Sequence, residues 1–387
     1  MKQFSRSQTI IIGLTIFSMF FGAGNLIYPL KLGVKAGEKN FFAIIGFMLT
    51  GIVLPLLGLI AIILFNGDYK AFFYRLGKIP GSLFILFCML AIGPLIAMPR
   101  IVALSYIMVA PFIGNISLPL FTLIFLGITF LGTYKENNIL TILGCVISPL
   151  LLFSLLIIII KGLLVHGEMS HTVFNNNINL FLQSIKVGYT TLDVLGALFF
   201  SSVVITILKE NLPNNSPQSL KLLAAMGFKS GTIGVGLLAI IYLGISYIGV
   251  YHGNGLEHLN EGELFSVLSF RILGSWGAII IAFAILMACY STIIALSAVV
   301  AEYLQKIVLT DKISHIQSLL VVLSIAGIVA NFGLSKILYF STPCIEIVYP
   351  SLIMLMFCNI AYKLGTIKIV KIPVLLTLIT SCIAYYF

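Results

Sequence analysis

The sequence predicts an all-α, polytopic membrane fold, and three observations carry that prediction. Hydrophobic residues make up 60% of the 387 positions and charged residues only 9%, where a soluble domain carries roughly a quarter. Apolar runs of the length a helix needs to cross a hydrocarbon core, about 20 residues, recur along the whole chain and leave no hydrophilic domain over. The runs also lack the two-residue alternation of barrel strands, so helices are the remaining way to satisfy the backbone in lipid.

Eleven candidate spans follow, near 9–31, 41–65, 82–110, 117–134, 139–165, 187–208, 222–250, 275–305, 315–334, 338–361 and 372–387. Lys2 and Arg6 ahead of the first run, with small residues at Gly22 to Gly24, resemble a signal peptide. The apolar stretch resumes beyond the glycines, so it reads as the first span. The net charge of +10 would suggest a nucleic-acid partner in a soluble protein; here it reflects basic loops. With the N-terminus inside, fourteen Lys and Arg fall on the inner side, seven on the outer, and Arg100 within a span, which accounts for all 22. That bias predicts a cytoplasmic N-terminus. Cys88, Cys145, Cys289, Cys344, Cys358 and Cys382 lie singly in apolar runs, with no C-x-x-C pair and no neighbouring histidine at metal-ligand spacing. Neither a disulfide framework nor a transition-metal site is expected.

Candidate function lies where the helices are interrupted. In the first span, Ser18-Met19-Phe20-Phe21-Gly22-Ala23-Gly24-Asn25-Leu26-Ile27-Tyr28-Pro29 brackets an alanine with glycines and adds an amide and a proline. Such a run suits an unwound point, where free amides attract a carboxylate and freed carbonyls ligate a cation. The same glycines also suit close helix packing. The third span holds Gly93-Pro94-Leu95-Ile96-Ala97-Met98-Pro99-Arg100. A charge near a helix centre costs about 2.5–3.5 kcal/mol on insertion scales, so Arg100 is a structural or gating residue or an interfacial anchor. The sixth span opens with Thr190-Thr191-Leu192-Asp193-Val194-Leu195-Gly196. Asp193 is either a plain N-cap or the carboxylate of a second helix break, facing an ammonium or a cation. If five spans are followed by five inverted ones, spans one and six are the equivalent broken pair. Ser291 and Thr292 bring hydroxyls into the eighth span, and Glu346 puts a second carboxylate into the tenth, as a partner for Arg100 or a gating residue.

These residues resemble the branched-chain amino-acid carrier family (BrnQ-type, system II), within the amino acid-polyamine-organocation superfamily. The resemblance rests on Phe-Gly-Ala-Gly-Asn-Leu-Ile-Tyr-Pro at 21–29, Gly-Pro-Leu-Ile-Ala-Met-Pro-Arg at 93–100, Leu-Asp-Val-Leu-Gly-Ala at 192–197, Ala-Glu-Tyr at 301–303 and Asn-Phe-Gly-Leu-Ser at 331–335. It implies a ten-helix core of two inverted five-helix repeats, 9–165 and 187–361, like that of the bacterial leucine transporter. Helices one and six would be broken, and 372–387 would be an extra helix. It further implies a multi-pass protein of the bacterial inner membrane that symports leucine, isoleucine or valine with Na⁺ and needs no cofactor. Substrate would then meet Phe21, Gly22, Ala23, Gly24, Asn25, Asp193 and Gly196, its carboxylate on the amides around Ala23 and Gly24. One cation site would use the Ser18 and Phe21 carbonyls with the Ser291 and Thr292 hydroxyls; Phe20 and Asn25 would contribute to a second. Two departures stand out: the eleven segments leave the family's usual twelfth helix without a counterpart, and Ser351 follows Pro350 where a further proline is the family pattern.

The other readings keep the fold and change the solute to another neutral amino acid, or the ion to H⁺ through Asp193 or Glu346. A membrane-embedded enzyme is disfavoured, because clustered carboxylates, a His-rich metal set or an activated nucleophile are missing. The sequence has no P-loop, which argues against a primary pump.

Overall fold

In the computed structural model the described residues are 6–134, 148–210, 217–366 and 368–386, and their regular elements are all helices. The first span is α1 (Arg6–Phe20) and α2 (Ala23–Ala36), separated at Phe21 and Gly22. The second is α3 (Asn40–Met48) and α4 (Leu54–Leu64), joined by a π turn at Leu49–Val53. After the short α5 (Tyr69–Phe73), the third span is α6 (Lys78–Ile92) and α7 (Ala97–Ile113). Then come α8 (Leu118–Thr133) and α9 (Ser148–Leu164). The sixth span is α10 (Asn177–Tyr189) and α11 (Asp193–Glu210). The chain finishes with α12 (Pro217–His252), α13 (Glu261–Tyr303), α14 (His315–Ala330), α15 (Leu334–Lys363) and α16 (Lys371–Tyr386).

Each of the eleven predicted segments contains helix, although 139–147 of the fifth lies outside the described residues. Local chemistry explains several starts. Asn260 with Glu263 and Ser314 with Gln317 form reciprocal capping boxes at α13 and α14, each satisfying two otherwise orphaned amides. Proline near the first position opens α4 and α8, where its missing N–H costs nothing. Among the described residues five stretches, including Lys78–Ile113 and Glu261–Val308, are long and apolar enough to cross a membrane. Outward faces are apolar as well: Leu123, Leu131 and Ile328 are all more than 65% exposed, as lipid-facing side chains are. Trp276, 84% exposed, follows the turn at Gly274 (φ 68°) in α13, the kind of amphipathic ring that sits at a membrane interface.

Three boundaries differ from the sequence reading. The sixth span begins at Asn177 rather than near 187. Gln183, Ser184 and Lys186 lower the apolarity of α10, which hid it from a hydropathy window. The third span is interrupted at Gly93–Ile96, a further break beside those in spans one and six. The eighth begins at Glu261 and changes direction at Gly274.

Packing follows a repeated pattern. Span seven lies along both halves of span one, span two lies along both halves of span six, and span three packs on span eight. Exchanging one with six, two with seven and three with eight maps these pairings onto one another, as two five-span repeats produce. The approach of α12 to α2 is backbone to backbone. A Cβ on Gly33 would lie 2.1 Å from Ser246 O, and one on Gly249 would lie 2.3 Å from Leu30 O. Small residues permit such contact between membrane helices.

The packing predicts that Gly249→Leu forces α2 off α12 at a cost of at least about 1–3 kcal/mol, the usual range for overpacking. Gly236 lies on the same helix with nothing within 4 Å of its would-be Cβ. Thermal unfolding of the purified protein should therefore show a large drop for Gly249→Leu and little change for Gly236→Leu.

Candidate functional site

The breaks in spans one, three and six meet at one place. In span one, α1 ends at Phe20 and α2 begins at Ala23, with Gly22 extended (φ −110°, ψ −178°). The first amides of α2 have no preceding helical turn to accept them. Asn25 N donates back to Gly22 O at 3.1 Å, and Gly22 N donates to Asn25 Oδ1 at 3.3 Å, so the Asn25 side chain braces its own helix start. In span six the chain turns through Thr190, Thr191 and Leu192. The two threonine hydroxyls donate to Val187 O and Gly188 O. Leu192 sits at φ 64°, a conformation that L-residues with side chains rarely adopt and that tends to be held at functional sites. The new helix then starts on Asp193, whose charge faces the positive end of α11.

A buried polar cluster joins the two breaks. Asn25 Nδ2 donates to Asp193 Oδ1 and Oδ2, both at 2.9 Å, and to Tyr242 Oη. Tyr242 Oη donates in turn to Asp193 Oδ2 at 3.1 Å. Asn25, Asp193 and Tyr242 are each less than 5% exposed, and they come from spans one, six and seven. Span ten adds Tyr349, whose hydroxyl accepts from Val194 N at 3.0 Å, meeting one of the orphaned amides of α11. In a low-dielectric interior such networks are strong when satisfied and costly when broken.

Arg100 occupies the first turn of α7 and is 3% exposed. Its Nη1 donates to Tyr28 Oη at 3.1 Å and to Thr190 O at 2.6 Å, linking α7 to α2 and to the C-terminal end of α10. The expected pairing of Arg100 with Glu346 is not found. Glu346 instead pairs with Lys186 of α10 at 3.3 Å, with side-chain exposures of 21% and 56%, whereas Arg100 is buried at the helix breaks. An exposed pair of this kind contributes about 0–1 kcal/mol.

Around these groups lies a narrow cleft, lined among others by Phe20, Gly22, Gly24, Asn25, Arg100, Asp193, Gly196 and Thr292. Met19, Ile92, Phe200 and Leu296 extend it. By chain direction these four lie beyond the breaks on the side carrying the N-terminus, whereas the Arg100–Tyr28–Thr190 contacts close the opposite side. Beside the cleft, Thr292 Oγ1 donates to Phe21 O at 3.1 Å and to Ala288 O at 3.0 Å. Ser18 Oγ is buried without a hydrogen-bond partner among the described residues. Ser291 Oγ bonds back to Ala288 O at 2.8 Å, the bond that serine readily makes within a helix. Among the described residues no cluster of three or more His, Cys, Asp or Glu forms a metal site.

Tyr28, Thr190, Tyr242 and Tyr349 were missed by the sequence reading. Tyr242 carried a usable signal, as the one hydroxyl in the run Ala239-Ile240-Ile241-Tyr242-Leu243. Thr190 acts through its carbonyl, which no residue type reveals.

Paired helix breaks around a buried polar cleft define a broken-helix membrane fold, and comparison with solved structures agrees. Mhp1, a nucleobase-cation-symport-1 family transporter, in a closed conformation with bromovinylhydantoin bound, superposes with a TM-score of 0.65 at 15% identity, over 91% of this chain and 78% of that one. The Eremococcus coleocola manganese transporter gives 0.63 at 14% identity, over 100% of this chain and 90% of that one. These likenesses establish the fold alone. The sequence model of the family described as branched-chain amino acid transport protein matches residues 5–386, and the chain belongs to that family. The branched-chain amino acid permease BraB of Bacillus subtilis (strain 168) is 34% identical over 365 residues, 92% of this chain and 80% of that protein.

The polar cluster predicts that Tyr242→Phe leaves Asn25 Nδ2 and Asp193 Oδ2 each one partner short, at a cost of about 1–3 kcal/mol. Lys186→Ala removes an exposed ion pair and should cost less than about 1 kcal/mol. Thermal unfolding of the two variants against the parent checks the contrast.

Proposed function

We propose that the protein is a secondary active symporter that imports leucine, isoleucine and valine coupled to Na⁺, working by alternating access. The observation that carries this reading is the cleft between the broken helices, lined by one buried cation and one buried anion, in a chain of the branched-chain amino acid transport protein family. The amides of Ala23 and Gly24 at the start of α2 suit a carboxylate, and Asp193 suits an ammonium. Met19, Phe20, Ile92, Phe200 and Leu296 offer an apolar wall for a branched side chain. One methylene discriminates by only about 1–3 kcal/mol, so all three branched amino acids should be accepted.

Na⁺ is a cargo of this cycle. Hard cations favour oxygen ligands, and the oxygens beside the break are Phe21 O, Thr292 Oγ1 and the partnerless Ser18 Oγ, with Ser18 O and Ser291 Oγ close by in sequence. Asn25 and Phe20 would serve a second ion. A cation bridging α1 and α13 would order the break and so raise substrate affinity, and the substrate must raise ion affinity by the same factor. The two five-span repeats, 9–165 and 187–361, would supply the moving and scaffold parts, with 372–387 outside them. The charge bias of the loops supports a cytoplasmic N-terminus in a bacterial inner membrane, so the closed side of the cleft would face outward. Asp193 favours a second reading, coupling to H⁺, because a buried carboxylate with no ion partner among the described residues is a natural proton carrier.

Uptake of labelled leucine into proteoliposomes at fixed pH, with and without an inward Na⁺ gradient, tests the proposal. Accumulation should require the gradient and be competed by isoleucine and valine. Accumulation driven only by a proton gradient would replace Na⁺ with H⁺. Thr292→Val should raise the Na⁺ concentration for half-maximal uptake by about tenfold, as loss of one charge-assisted ligand implies, while leucine transport recovers at saturating Na⁺.

A further inference from the structure

Two buried charges line the cleft, and neither has an ion partner among the described residues. Arg100 is 3% exposed and Asp193 is 4% exposed, while the ion pairs among those residues are Lys186–Glu346 and Lys306–Glu302. A guanidinium presents five N–H donors. Nη1 donates to Tyr28 Oη and Thr190 O, both uncharged, and Nε is buried with no partner. Its seat in the first turn of α7 sets the cation against the positive end of that helix. Among the described residues no carboxylate touches it, so the Thr190 carbonyl at the negative end of α10 and the field of Asp193 offset only part of the cost of burying this charge at mid-membrane. The guanidinium also abuts the start of α2: a Cβ on Gly24 would lie 3.1 Å from Nη2. It thus stands beside the amides that suit a carboxylate.

We infer that Arg100 is the carboxylate ligand of the transported amino acid, so that the substrate completes a charge pair the protein holds apart, carboxylate to Arg100 and ammonium to Asp193. The inference rests on the symporter reading above and deepens it. Guanidinium and carboxylate match in shape and charge, and the Nε edge is the unused donor. The site then selects free α-amino acids over derivatives whose acid end is neutral, because a neutral end leaves a buried cation unpaired. The same guanidinium ties spans one, three and six on the closed side, so carboxylate binding and closure of that side act through one group.

The test is equilibrium binding to purified protein at saturating Na⁺ and at two pH values, comparing leucine with leucinamide, which keeps the ammonium and replaces the carboxylate by a neutral amide. The parent protein should prefer leucine strongly. Arg100→Gln should weaken leucine binding by about 10- to 100-fold, the range of a charge-assisted hydrogen bond, and leave leucinamide nearly unchanged, so the preference collapses. Arg100→Lys keeps the charge but loses the planar fork and should shrink the preference in part. Lys186→Ala removes an ion pair outside the cleft lining and should leave it intact. Equal weakening of both ligands in Arg100→Gln, or a parent that binds leucinamide as tightly as leucine, overturns the inference. Where Arg100→Gln does not fold, an unchanged preference in Arg100→Lys overturns it instead. Should the parent ignore all three branched amino acids yet bind another neutral amino acid, and lose its acid-over-amide preference in Arg100→Gln, the solute assignment falls and the role of Arg100 stands.

Discussion

The amide of Asn25 holding the carboxylate of Asp193 is the contact on which the rest of this architecture depends. Each residue sits at the start of a half-helix, Asn25 in the first turn of α2 and Asp193 at the first position of α11. Interrupting a helix in lipid frees backbone groups that nothing outside the protein can satisfy. Here one side chain braces its own interruption and ties it to the other: Asn25 Oδ1 takes the Gly22 amide while its Nδ2 reaches Asp193. Tyr242 then ties the pair to span seven.

The second constraint is charge. Spans three and six contribute a buried guanidinium and a buried carboxylate to one cleft, and the two form no direct ion pair. Arg100 leans on a tyrosine hydroxyl and on the carbonyl end of α10, while Asp193 leans on an amide and a tyrosine. Closely packed glycines such as Gly33 and Gly249 fix α2 on α12, so the half of span one beyond the break is anchored on the side opposite the N-terminus. The side on which the cleft extends, past Met19 and Leu296, is lined by apolar side chains alone.

Much of the fold was legible because lipid leaves few choices: apolar length marks helices, and Gly-Ala-Gly-Asn and Thr-Thr-Leu-Asp mark places where a helix restarts. The break at 93–96 was visible as Gly93-Pro94 but was not separated from the continuous span around it. The first half of span six was not legible, since Gln183, Ser184 and Lys186 lower its apolarity and so defeat a hydropathy window. Partnership was the least legible feature. Glu346 and Arg100 looked like a pair as the conspicuous charges within apolar runs, yet packing gives Glu346 to Lys186. Tyr242 looked like any aromatic in a membrane helix, and only the fold brings its hydroxyl to Asp193.

The central claim, that the Asn25–Asp193 contact couples the two helix breaks, is tested most directly by a double-mutant cycle. Asn25→Ala, Asp193→Ala and the double variant would be compared with the parent for thermal stability in the same detergent. Residues in one hydrogen-bond network couple by about 0.5–3 kcal/mol. The account predicts strong non-additivity, with the double variant little worse than the more damaged single one. Additive losses would mean that the two residues stabilise their own helices independently, and would contradict it.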